Sequence, residues 1–152
     1  MMPGKISKRV ISDRLMWVDR MIGEIHALPL NSKNTFMQDS RNIWSAESCL
    51  RRALEALFDM GRHIVAKGFG EAVTEYKEIA VALGRHGIIP PAELHLMQKL
   101  AGYRNRLVHF YHDVSADELF EICASHLDDV EKIANSLRAW LVNHPDVLDE
   151  TL

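Results

Sequence analysis

Cysteine is scarce: Cys49 and Cys123 are the two in the chain, neither belongs to a CxxC pair, and both sit within helix-like apolar patterns. That argues against a disulfide framework or a thiolate metal site and leaves buried thiols in a reducing compartment as the expectation. An excess of positive charge is also missing, since the formal net charge is −3 and the pI is about 6.2. A broad basic surface that coats nucleic acid is therefore excluded, and any contact with a polyanion has to be local. Long apolar runs are absent as well. The basic start, MMPGKISKRVISDR, leads into no uninterrupted apolar segment, and no stretch approaches the roughly 18 apolar residues of a membrane span. A cytoplasmic protein without a membrane partner is expected. Alternating strand patterns and internal repeats are missing too.

What is present is a chain of 152 residues, 47% apolar and 26% charged, enough for one real core. A single helical domain over residues 1–145 with a frayed tail at 146–152 is the expected organisation. Five helical segments are predicted, separated by short Gly, Pro and Asn/Ser clusters. The first, residues 7–28, repeats Ile11, Leu15, Val18, Ile22 and Ile25 at helical spacing and stops at Pro29. The second opens on a capping box at Thr35 and Gln38, and its stripe includes Ala46, Leu50, Ala53, Leu57, Gly61 and Ile64. The third, residues 71–83, carries Val73, Tyr76, Ile79, Ala80 and Leu83. The fourth starts at Pro90 and Pro91 and is predicted to run into the HFYHDV stretch, lined by Met97, Leu100, Ala101, Leu107, Val108 and Tyr111. The fifth opens on a second capping box, Ser115 and Glu118, and buries Leu119, Ile122, Cys123, Val130, Ile133, Leu137 and Leu141. Short connections imply antiparallel neighbours, hence an all-α, up-and-down bundle of about five helices.

One residue breaks the pattern. Arg104 has Leu100, Ala101, Leu107 and Val108 three and four places away, so helical periodicity sets a guanidinium into a stripe that should face protein. Such a group requires hydrogen-bonding partners. A stem lying along the stripe, with its head at solvent or a carboxylate, would satisfy it. Asn105, His109 and His112 form a polar strip beside it, and Tyr111 lies seven residues on. Two turns thus hold a permanent cation, an amide, an imidazole and a phenol. Metal-free phosphodiester cleavage needs a base, an acid and a cation for the charge gathering on phosphorus, and histidine and arginine suit those tasks.

Arg104, Asn105, His109 and Tyr111 together match a pattern of Arg, four residues, His, one residue, Tyr. In this the chain resembles the HepT proteins of the HEPN superfamily. The resemblance implies an all-α fold and a metal-independent ribonuclease toxin acting as a homodimer on RNA, with no cofactor. It implies an MntA-type nucleotidyltransferase antitoxin that transfers AMP to the motif tyrosine, here Tyr111. Arg104, Asn105 and His109 are then the catalytic candidates, and Tyr111 an active-site or regulatory one. On a continuous ideal helix Arg104 and His109 would point about 140° apart, which favours a composite site with a second copy.

Other readings are less specific. His109, His112 and Asp113 could be drawn as metal ligands, but one HxxH without a matching carboxylate motif is nonspecific. His63 and His126 suit structural roles. Arg51, Arg52, Arg62 and Lys99 could line an RNA path, although solvated helix faces account for most such charges. Two alternatives to catalysis stay open: a module binding a nucleotide or RNA end through Arg104 without cutting, and a helical partner of a nucleotidyltransferase.

Overall fold

The longest apolar stripe of the sequence becomes the longest helix and the axis of the fold. A computed structural model describes residues 5–108 and 114–149. Along these run α1 (Lys8–His26), α2 (Lys33–Gln38), α3 (Ser40–Phe69), α4 (Tyr76–Arg85), α5 (Pro91–Leu107), α6 (Ala116–Ser125) and α7 (Leu127–Asn143). Helix α3 touches each of the other six and makes its most extensive contact with α1. The expected class, an all-α bundle, is the observed one. Ala46, Leu50, Ala53, Leu57, Gly61 and Ile64 of α3 are buried, as are Ile11, Val18, Ile22 and Ile25 of α1. Cys123 is buried and its thiol is pushed up to about 12 by desolvation, whereas Cys49 is half-buried.

Two predicted segments are each divided in two. The Thr35 and Gln38 box does not form, because Ser32 caps α2 by accepting from the Thr35 N–H at 3.2 Å. Asp39 then takes an extended conformation and caps α3 through the Arg41 N–H at 3.0 Å. Ser115 caps α6 as expected, by accepting from the Glu118 N–H, but the Glu118 carboxylate turns to Arg106 instead of closing the box. The fifth segment breaks at His126, whose backbone leaves the helical region. Residues 71–75, predicted helical, follow Gly70 in a left-handed C-cap (φ 68°) and precede α4. Helix α5 starts at Pro91 as predicted but ends at Leu107, with Val108 as its C-cap.

Of the frayed tail expected over residues 146–152, residues 146–149 are described, and they take regular structure. After a 3₁₀ turn at Pro145–Val147, Leu148–Asp149 (β2) pairs in parallel with Ile6–Ser7 (β1). Ile6 is fully buried, so this short pair lies on the core. No helix among the described residues is long and apolar enough to cross a membrane.

Gly61 brings α4 close to α3. A methyl group at this position would come within 2.9 Å of Leu83 Cδ1 and 3.3 Å of Ile79 Cγ2, a separation that interior packing does not tolerate without movement. The approach sets Tyr76, the first residue of α4, against Phe58 with ring centroids 5.0 Å apart.

His63 ties α3 to the start of α1, its Nε2 accepting from the Ser7 N–H at 3.0 Å. Burial lowers its pKa below the ordinary 6.5, with Lys67 and Arg14 adding to the shift. The folded state thus binds the proton less readily than the unfolded chain. Its contribution to stability is complete above about pH 6.5 and is lost as pH falls below that value. Denaturation midpoints measured from about pH 7 down to about pH 5 should fall, and His63→Gln, which keeps an acceptor, should flatten that part of the profile. An unchanged slope in the variant would remove His63 from the account.

Candidate functional site

The last turn of α5 carries Arg104 and Asn105 toward solvent beside α3 and α4. Arg104 is half-buried, with 24% of its side chain exposed, and its Nη2 and Nε donate to Glu55 Oε2 at 3.1 and 3.3 Å. Nη1 faces Asn105 Oδ1 at 3.4 Å. The guanidinium carbon stands 4.1 Å from the centre of the Tyr76 ring, a close cation–π contact. A carboxylate on one edge, an aromatic ring against the face and an amide near the remaining edge thus hold the cation. The stem-and-carboxylate arrangement considered from the sequence is the one observed, with Glu55 as the carboxylate.

Glu55 is shared. Its other oxygen accepts from Arg51 Nη1 at 2.9 Å, so one carboxylate lies between two guanidiniums. Tyr76 has its phenol pushed above the ordinary range, first by burial, with the Arg104 cation opposing the shift. An open concavity of about 490 Å³ is lined by Arg104, Asn105, Tyr76, Lys77, Thr74 and Glu75. Arg106 forms a second anchor three residues short of His109, donating to both carboxylate oxygens of Glu118 at 2.7 and 2.5 Å. That bidentate pair holds the Glu118 carboxyl below its ordinary range and fastens the end of α5 to the start of α6.

His109 and Tyr111, with His112 and Asp113, lie outside the described residues. The angle expected between Arg104 and His109 assumed a helix continuing through both. Because α5 ends at Leu107, that angle does not measure their relation.

Glu55, Tyr76 and the Arg106–Glu118 pair were not singled out from the sequence. A signal for Glu55 existed: Arg51, Glu55, Asp59 and Arg62 follow one another at helical spacing as a charged strip beside the buried stripe of α3. Tyr76 reads as core because it falls on the apolar pattern of the third segment. Of the cations considered for an RNA path, Arg51 is occupied by Glu55. Arg62 lies 3.8 Å from Asp59 and against the Tyr76 ring, and Lys99 lies over Tyr103. Arg52 is exposed and lines a second concavity with Trp17 and Tyr76. His126 lies 3.9 Å from Asp129, and His63 takes the structural part expected of it.

These residues lie on an all-α bundle wound about one long helix, with the Arg104-Asn105 pair in the last turn of α5. The chain belongs to the ribonuclease HepT-like family, whose sequence model matches residues 18–137. A tRNA nuclease HepT of Aphanizomenon flos-aquae is 23% identical over 134 residues, 88% of this chain and 90% of that protein. Among solved structures, a tri-AMPylated Shewanella oneidensis HEPN toxin in complex with an MNT antitoxin superposes with a TM-score of 0.76 at 23% identity. It covers 86% of this chain and 97% of the toxin. The cytosolic protein YutE of Bacillus subtilis gives a TM-score of 0.76 at 16% identity, over 92% and 94% of the two chains.

Proposed function

We propose that this protein is a ribonuclease toxin that cuts RNA without a metal ion, and that it is held in check by an MntA-like nucleotidyltransferase antitoxin. The 2′-oxygen attacks phosphorus, the bond to the 5′-oxygen breaks, and the leaving oxygen takes up a proton. The products are a 2′,3′-cyclic phosphate and a 5′-hydroxyl. Arg104 neutralises charge gathering on the phosphoryl oxygens, His109 transfers protons, and Asn105 orients the guanidinium. A homodimer supplies a second His109, so that one imidazole serves as base and its mate as acid. Tyr111 is either part of the chemistry or the acceptor of AMP; a bulky anionic adduct there would compete with RNA phosphate for Arg104.

The observation that carries this reading is Arg104 itself. It is a preorganised cation on an open concavity, five residues before His109, in a chain whose family is named for ribonuclease activity. RNA incubated with the protein in excess chelator should be cut to cyclic-phosphate ends, and the active species should size as a dimer. A strict need for added magnesium or manganese would refute the mechanism, and an active monomer would refute the composite site.

A further inference from the structure

Tyr76 lines two concavities at once. The one with Arg104, Asn105 and Lys77 offers cations to a phosphate. The other, about 340 Å³, has the Trp17 and Tyr76 side chains on its walls and is of different electrical character. Arg14 and Arg52 are set there against Asp13, Glu55 and Asp59, so its charges sum to one negative. Arg14 is already engaged, by Asp59 at 3.2 Å and by Asp13. Each of these carboxylates is matched by an arginine, so the lining does not select phosphate by charge, and it offers an aromatic face together with acceptors and donors, the complement of an unpaired nucleobase. Trp17 is half-buried and packed on the core, with the Arg20 guanidinium 5.6 Å from its ring centre, so the ring is held in place and a stacking base would displace or flank that cation. The size lies at the small end of ligand sites.

We infer that the Trp17 concavity is a nucleobase subsite, which takes the base of a nucleotide next to the phosphate held at Arg104. The inference rests on the ribonuclease reading for that neighbouring phosphate, but the subsite can be measured without cleavage. Trp17 stacks on the base and Asp13 accepts from an exocyclic amino group, so cytosine, adenine and guanine are favoured over uracil. Tyr76 stands between base and phosphate and Glu55 stays with Arg104.

The test uses the full chain carrying Trp44→Phe and Trp140→Phe, which leaves Trp17 as the one tryptophan of the three. Titration with CMP or AMP should quench its fluorescence saturably, UMP should bind several-fold more weakly, and inorganic phosphate should have no effect. Asp13→Asn should erase the preference between CMP and UMP. With RNA as substrate, Trp17→Ala should raise KM about tenfold with kcat nearly unchanged, the loss expected for one stacked base, and Trp17→Phe should recover most of it. If the double replacement unfolds the chain, equilibrium dialysis of labelled CMP against the parent and Trp17→Ala proteins makes the same comparison. Equal quenching by phosphate alone, or no difference in CMP binding on loss of Trp17, overturns the subsite. Base binding in a protein that cuts no RNA would support the subsite while the ribonuclease reading falls. Cleavage with an unaltered KM in Trp17→Ala would do the reverse.

Discussion

Replacing Arg104 or His109 by alanine should abolish RNA cleavage and relieve any growth arrest, with the bundle still folded in both variants. One change removes a cation worth about two to three orders of magnitude in rate, and the other removes proton transfer worth about two to four. The sequence alone suggests that Arg104→Ala holds or raises stability by removing a semi-buried charge, against a loss of about 3–5 kcal/mol for an arginine tied to a buried carboxylate. The structure alters that expectation, since Arg104 binds Glu55 through two donors. Glu55 keeps Arg51 after the change, and both side chains of the lost pair are partly solvated. The cost should therefore be about 1–2 kcal/mol, below that of a fully buried pair. For a chain of this length that lowers Tm by roughly 2–4 °C per kcal/mol. Tyr111→Phe should fold as the parent does and resist AMP transfer, and its cleavage rate tells whether the phenol takes part in the chemistry. Should both alanine variants cut RNA at the parental rate, the ribonuclease assignment of this motif is lost.

Glu55→Ala should have the second largest effect. Two half-buried guanidiniums, Arg51 and Arg104, would lose their common acceptor, at about 1–3 kcal/mol. Arg104 would keep the Tyr76 ring and the Asn105 amide but lose both donors' acceptor along the Glu55 edge, and with it part of what fixes its rotation about that ring. A positioning residue of this kind acts on kcat, because a misaligned cation fails the transition state more than the bound substrate. A fall of about ten- to a hundred-fold in kcat with KM within a factor of about three is expected, and Glu55→Gln should recover part of it. Parental kcat in a folded Glu55→Ala protein would show that the carboxylate only supports the fold.

Helix identity was legible wherever apolar spacing was long and regular, as in α1, α3 and α7, because burial of one face fixes the 3.6-residue period. The breaks at Asp39 and His126 were not, since one residue leaving helical geometry barely disturbs the stripe on either side. Nor was the pairing of Ile6–Ser7 with Leu148–Asp149, which depends on two ends meeting in space. At the site, Arg104 stood out through a local conflict of charge and periodicity. Glu55 is 49 residues away in sequence, and no local pattern relates the two. Tyr76 was visible only as an apolar residue, because a ring on a core stripe looks the same whether it meets leucine or a guanidinium.

The sharing of Glu55 by two arginines separates the life of the fold from the life of the activity. Arg104 can be lost by mutation and Glu55 still has Arg51 on its own helix, so the core below is not left with an orphaned carboxylate. On the proposed reading of Arg104, a gene for this protein can therefore decay in function while its product keeps its shape. Such a silenced copy would still present the parental surface, and in a cell carrying an active relative it would compete for whatever binds that surface.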